Sequence, residues 1–433
     1  MDSVAIDEGQ LRKLRQRAIV ACFAGNLFEL YDFLVFGFFA IQIGQAVFPS
    51  KDPITSVLAS FATYGTGFLT RPIGAMVMGS YGDRRGRKTA LSVTITLMAL
   101  ATGLTGLIPT YARAGIWSPI LLVLFRLLQG FSTGGEWGGA TTFMVEYAPA
   151  GRRGFFGSLQ QISTATAQLL AIVSALALNS WMSKSALASW GWRLPFLLGF
   201  VMAPFGYYLR ARVAETPAFK HSEDTSDLVV SPLKLVFTVY RRELIICLGI
   251  TTVWTVASYV FITFMATYAT QSLHLPASVA LKAVVLASLA NLLLIPISGI
   301  LSDKIGRAPI VIAASVGYLI LSVPSFIYMA NARTFTSVAL VSLAAGALYG
   351  MLNGAVPAML AELFPTNVRY TALSVGYSSG VMIFGGFAPF ICTWLVKTTG
   401  SAIGPGFYPF ICAAITLSAL FAARKNTLEH AAL

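Results

Sequence analysis

Charge is scarce in this sequence. Only 11% of its 433 residues are Asp, Glu, Lys or Arg, against about 25% in an ordinary soluble domain. That is too little to give a folded chain of this length a polar surface, so a soluble globular protein is excluded. Acids are fewest, 17 against 30 lysines and arginines. Histidine occurs only as His221, His274 and His430, outside the apolar runs. The four cysteines, Cys22, Cys247, Cys392 and Cys412, sit in apolar runs without metal-ligand spacing. That pattern excludes a disulfide scaffold and a zinc site. No Gly-x-x-x-x-Gly-Lys-Ser/Thr loop occurs, so ATP-driven chemistry has no support.

What is present in excess is hydrophobic surface, 56% of the residues. That excludes intrinsic disorder and leaves a polytopic membrane protein. A bilayer core takes about 20 apolar residues per helix. Twelve such runs can be drawn, at 18–48, 54–81, 89–109, 117–146, 155–181, 192–211, 243–270, 280–301, 309–330, 335–363, 370–397 and 404–423. Residues 1–17 are polar and lead directly into a full-length run, so no cleavable signal peptide is expected. If the N-terminus is cytoplasmic, 21 of the 30 basic residues fall inside and 6 outside. This bias predicts both termini inside and accounts for most of the +13 charge without nucleic acid. The expected organisation is an N-terminal segment (1–17), a six-helix bundle (18–211), a cytoplasmic linker (212–242), a second six-helix bundle (243–423) and a tail (424–433).

The halves repeat. Gly79-Ser-Tyr-Gly-Asp83-Arg84-Arg-Gly86-Arg87-Lys88 and Gly299-Ile-Leu-Ser-Asp303-Lys-Ile-Gly-Arg307 each follow the second span of their half. Glu146-Tyr-Ala-Pro149 with Arg153 matches Glu362-Leu-Phe-Pro365 with Arg369. Two parallel six-helix halves are a transporter architecture, with substrate held near the midplane between them.

The first repeat resembles the loop 2–3 signature of the major facilitator superfamily; the second departs from it at Ala308. Further stretches narrow the resemblance: Arg71-Pro-Ile-Gly74, Arg126-Leu-Leu-Gln129-Gly130 through Gly134-Gly-Glu136-Trp137-Gly-Gly139, Trp190-Gly-Trp-Arg193 and Glu215-Thr-Pro217. These resemble the metabolite:H⁺ symporter family, which carries citrate, other carboxylates, shikimate and compatible solutes. Asn26-Leu-Phe-Glu29-Leu-Tyr31-Asp32-Phe33 is most similar to the citrate and tricarballylate carriers. The resemblance implies a major facilitator fold, all-α with twelve transmembrane helices in two pseudo-symmetric bundles. It also implies that Asp83, Arg84, Gly86 and Arg87 latch the cytoplasmic side, with Asp303 and Arg307 in the repeated position. The other reading of these loops is a solvated, positive-inside turn.

Charges inside the spans carry the functional reading, because ionisable groups in hydrocarbon usually face a cavity. Glu29 and Asp32 share one helical face. At about 1.5 Å per residue they lie roughly 16–21 Å into the membrane, and Arg126 reaches a similar depth. An Asp32–Arg126 contact that changes with conformation would couple a proton, as the resemblance to sugar porters implies; the alternative is a static interhelical pair. Glu29 is an alternative proton site, and Glu136 is a second proton or gating candidate. Arg71 and Arg126 are candidates for binding a carboxylate, since arginine offers a charged, bidentate fork. Asn26, Tyr31, Gln129, Gln160 and Gln161, with Tyr349, Asn353, Tyr377 and Ser378 in the second half, are candidates to complete the pocket.

The expectation is a proton-coupled symporter of a small polycarboxylate such as citrate or tricarballylate. It would work as a monomer in a bacterial cytoplasmic (inner) membrane, with no metal or cofactor and sodium coupling left open. Dicarboxylate, shikimate or proline/betaine transport is the alternative. The short tail disfavours osmosensing relatives with coiled-coil tails. A carboxylate receptor or a channel is a more distant reading. Gly130-x-Ser132-x-Gly134 and Gly376-x-Ser378-x-Gly380 match a hydrolase nucleophile elbow, but both lie inside spans and lack a histidine base.

Overall fold

The computed structural model describes residues 33–85, 87–134, 136–146, 148–149, 151–201 and 232–430, with positions 23, 26–27 and 30–31 of the first span. The described residues are almost wholly helical. That follows from the composition: only a helix satisfies the backbone of a single apolar segment within hydrocarbon. Among the described residues, seven helices are long and apolar enough to cross a membrane. Several other spans are built from pieces. The second is Pro53–Leu69 and Arg71–Arg85, and the fourth is Trp117–Thr133 and Glu136–Glu146. Spans 5, 8, 9 and 10 are single helices, Arg153–Trp181, Ala277–Ile305, Arg307–Ala332 and Phe335–Glu362. Spans 7 and 11 each contain a π-helical stretch, Tyr259–Phe264 and Val381–Gly385. The stretch expected to be a linker holds a helix, Pro232–Thr238.

Local chemistry sets the helix starts. Asp52 caps span 2, its Oδ1 accepting from the Ile54 amide at 3.1 Å, with Pro53 in the first turn. Thr334 and Ser337 form a capping box at the start of span 10. Each satisfies amides that the first helical turn leaves without partners.

Glycines bring spans 2 and 4 into backbone contact. A Cβ at Gly130 would strike the Gly67 carbonyl, and one at Gly134 the Arg71 carbonyl. Small residues at four-residue spacing permit this approach. It sets Arg71 beside the fourth span.

The bundles meet through span 5 against spans 8 and 10, and through spans 2 and 4 against span 11. At the end carrying loop 8–9, the Asp303 carboxylate accepts from the amides of Gly154 and Phe155 at 2.8 and 2.9 Å. At the opposite end, Lys397 Nζ donates to Asp52 Oδ2 at 3.0 Å and to Thr55 Oγ1 at 2.6 Å. Nearby, the Phe61 and Phe264 rings meet edge-on at 6.2 Å. The bundles are therefore joined on both sides of their centre.

Candidate transport site

Between these two closures lies a cavity of about 50 Å³. At roughly 10–15 Å³ per water centre it holds a handful of water molecules. The first bundle contributes Asn26, Leu30, Leu34, Arg71, Thr133, Trp137, Gln161, Thr164 and Gln168. The second contributes Trp254, Thr255, Ser258, Tyr259, Tyr349 and Tyr377. A solute of citrate size needs the bundles to move apart before it fits.

Arg71 is the one cation lining the cavity among the described residues. It is 4% exposed, and its guanidinium lies over the Phe33 and Phe68 rings at 4.6 and 4.5 Å. Its Nε and Nη2 have no hydrogen-bond partner among the described residues. Burying such donors costs free energy that a bound anion would recover. Ring faces stabilise the cation without using its N–H groups, so the fork stays available.

Arg126 is placed differently. It is fully buried, packed over Phe36 at 3.9 Å and near Phe33 and Tyr64 at 5.1 and 5.5 Å. Its Nη1 donates to Gln129 Oε1 at 2.8 Å, and Gln129 Nε2 donates to Thr102 Oγ1 at 2.8 Å. Neither Arg126 nor Gln129 lines the cavity. In this arrangement the Phe33, Phe36 and Tyr64 rings lie around the Arg126 guanidinium, outside the lining of the cavity.

Other expected pocket residues divide the same way. Asn26, Gln161, Tyr349 and Tyr377 line the cavity; Tyr31, Gln160, Asn353 and Ser378 do not. Asn26 Nδ2 donates to Ser163 Oγ at 2.6 Å, and the Tyr31 hydroxyl to Ser174 Oγ at 3.1 Å. Gln160 Oε1 accepts from Gln161, and Asn353 spends its side chain on Trp254 and Asn291. Ser378 Oγ reaches the Gly134 carbonyl across the bundle boundary at 3.4 Å. Glu29, Asp32 and Gly86 lie outside the described residues, as do the side chains of Asp83, Arg84, Arg87 and Glu136. Asp303 also pairs with Arg307 at 2.9 Å, and Arg307 reaches Glu362 at 3.1 Å.

Ten of the lining residues are not among the pocket candidates read from the sequence, and Trp137, Trp254 and Gln168 stand out among them. Trp137 stacks on Tyr377 at 3.8 Å, and Trp254 lies 5.5 and 5.7 Å from Tyr377 and Trp137. Gln168 Nε2 donates to Ser258 Oγ of the other bundle at 3.2 Å. The tryptophans carried a readable signal. Membrane tryptophans concentrate at the interfaces, whereas both of these fall well inside their spans.

Two helical bundles enclosing a polar and aromatic cavity, closed on either side by inter-bundle contacts, define a membrane transporter. The model of the family described as "Sugar (and other) transporter" matches residues 17–227 and again 219–427. The chain belongs to this family, within the major facilitator superfamily. It is 36% identical over 425 residues to the glycine betaine/proline/ectoine/pipecolic acid transporter OusA of Dickeya dadantii (strain 3937), covering 96% of this chain and 84% of that one. It is 37% identical over 388 residues to a citrate-proton symporter of Klebsiella pneumoniae, covering 90% and 87%. Its fold is similar to that of the proton:xylose symporter XylE bound to 6-bromo-6-deoxy-D-glucose. That likeness has a TM-score of 0.74 at 17% identity and covers 94% of this chain and 95% of the other.

Proposed function

We propose that this protein is a proton-coupled symporter for a small solute bearing a carboxylate. The single observation that carries this reading is Arg71, a buried guanidinium at the wall of the central cavity whose Nε and Nη2 have no partner among the described residues. Citrate, proline, glycine betaine, ectoine and pipecolic acid, the solutes named for the two relatives, all carry a carboxylate. Arginine binds that group bidentately and keeps its charge across the working pH range. Asp32, or Glu29 beside it, is the proposed proton carrier, with Arg126 as its charge partner and Glu136 in a secondary role. A proton site of this kind drives uptake only if its affinity differs between the inward- and outward-facing states.

Within the carboxylate class, a polycarboxylate such as citrate or tricarballylate is the first reading. It rests on the first-span motif and on the Klebsiella relative. A zwitterion such as proline or betaine is the second, and one feature of the cavity favours it. Among the described residues a single cation, Arg71, shares the lining with Trp137, Trp254 and Tyr377, and aromatic faces suit a quaternary or secondary ammonium. Uptake of labelled citrate, tricarballylate, proline and glycine betaine into proteoliposomes, with and without an inward proton gradient, separates these readings. Uptake that ignores the gradient would remove the symport claim. Transport of none of the four would remove the carboxylate claim.

With the basic loops cytoplasmic, the Asp303 contact closes the inner side and the Lys397–Asp52 contact the outer side. Alternating access then means breaking one while keeping the other. The proposed setting is a bacterial cytoplasmic membrane.

A further inference from the structure

The second bundle contains a chain of buried amides that ends on the aromatic wall of the cavity. Trp254 Nε1 donates to Asn353 Oδ1 at 2.6 Å, and Asn353 Nδ2 donates to Asn291 Oδ1 at 2.8 Å. The three residues come from spans 7, 10 and 8. All are nearly or fully inaccessible, at 3%, 1% and 0% exposed. Of the three only Trp254 lines the cavity, and Asn353 also lies against the cavity residue Tyr349.

The direction of this chain is fixed by chemistry. An indole N–H can donate but not accept. Asn353 must therefore turn its oxygen toward Trp254 and its nitrogen toward Asn291, which must answer with its own oxygen. Asn291 Nδ2 is left at the far end without a partner among the described residues. A buried network with an unsatisfied end is a poor device for stability, because apolar residues of the same shape do as well or better. What it supplies is position.

The backbone gives a second reason. Asn353 stands four residues before Pro357 in the span 10 helix. Proline has no amide hydrogen, so the Asn353 carbonyl loses its usual helical partner and the helix is weakest there. Side-chain ties to spans 7 and 8 hold the helix at that point. They also pin the Trp254 ring, which then meets Tyr377 at 48° and Trp137 at 60°.

We propose that Asn353 is a positioning residue that sets solute affinity by holding Trp254, and with it the aromatic wall of the cavity. It acts through the indole and touches no solute itself. The effect on transport rests on the carboxylate-symport reading above, whereas the hydrogen-bond relay does not.

The experiment compares Asn353→Leu, Trp254→Phe and the double variant in reconstituted full-length protein. In wild-type background, Asn353→Leu is expected to raise the KM of the transported solute about tenfold and to leave the maximal rate within about twofold. In the Trp254→Phe background, where the indole donor is gone, the same substitution should move KM less than about twofold. An unchanged KM, or an equal change in both backgrounds, overturns the proposal. If Asn353→Leu does not reach the membrane, Asn291→Leu replaces it. That variant removes the acceptor for Asn353 and should raise KM by about threefold only while Trp254 is present. Trp254 fluorescence, taken as wild type minus Trp254→Phe in detergent, should shift its emission maximum with Asn353→Leu. An unshifted maximum overturns the relay. The spectral result stands even if no tested solute is transported, which would instead defeat the symport reading.

Discussion

Trp137 of the first bundle and Tyr377 of the second stack nearly face to face, ring centroids 3.8 Å apart and planes 20° apart. Their rings close one side of the central cavity and cross the boundary along which the bundles must part. An aromatic pair contributes about 0.5–1.5 kcal/mol beyond its buried area. Tyr377→Leu keeps a bulky apolar group but removes the stack. It should therefore shift the balance away from the closed arrangement by roughly 2- to 10-fold. Spin-label distances between the bundles check this. An unchanged distance distribution would show that the stack carries no weight in closure.

Arg71 supplies the next prediction. Arg71→Lys keeps a positive charge but loses the planar fork, and a lysine ammonium sits less well on two ring faces than a guanidinium. The KM of the transported solute should rise about 10- to 100-fold, the range expected when a binding contact worth roughly 1.4–3 kcal/mol is lost. Uptake kinetics with the solute identified in the panel measure it directly. Wild-type KM would remove Arg71 from the binding site.

Arg126→Lys should behave in the opposite way. Aromatic rings and Gln129 hold this guanidinium away from the cavity. Solute affinity should stay within about threefold of wild type, while gradient-driven accumulation falls and solute exchange persists. The comparison is counterflow against uphill uptake in the same vesicles. A large loss of affinity would return Arg126 to the solute.

Much of the fold and part of the site could be read from residue order, for physical reasons that differ between residues. The two-bundle fold is legible because apolar runs and basic loops obey the dimensions and charge bias of a bilayer. Arg71 is legible because a cation in a span is rare and costly. The surroundings of Arg126 are not, since Phe33, Phe36 and Tyr64 look like any apolar side chains until packing gathers them around it. Asn353 is visible as a polar residue in a span, but its partners come from spans 7 and 8. Asp303 stands out by repetition, whereas the amides it meets are 149 and 148 residues away in sequence.

Those amides make Asp303 a test of the proposed inner closure. Its carboxylate caps the start of the span 5 helix across the bundle boundary, where exposed N–H groups and the helix dipole favour an anion. Hydrogen bonds to a charged group contribute about 1.5–3 kcal/mol. Asp303→Asn should weaken the contact by around that amount and raise the reactivity of cysteines introduced at the inner end of spans 5 and 8. Asp303→Glu should restore part of the protection. Equal labelling in wild type and Asp303→Asn would dismiss this latch.

The proposed outer closure, Lys397 on Asp52, carries a pH signature. The Thr55 hydroxyl and the Lys397 ammonium hold the Asp52 carboxyl down at about 2, against an ordinary 3.8. A lowered value means that the contact favours the ionised form, so its contribution is complete above the ordinary value and is lost as pH falls through about 2. The pair is exposed, and salt should weaken it. Across pH 5–8 the outer contact should therefore not change, and any pH dependence of uptake in that window must come from another group. Accessibility of a Gln271→Cys probe in the outer cleft beside span 7 reads this out. Labelling, normalised to a fully exposed cysteine so that the thiol's own titration cancels, should stay flat over that range and rise in Lys397→Gln at every pH. Labelling of the wild-type background that climbs between pH 8 and 5 would show that the outer closure itself titrates.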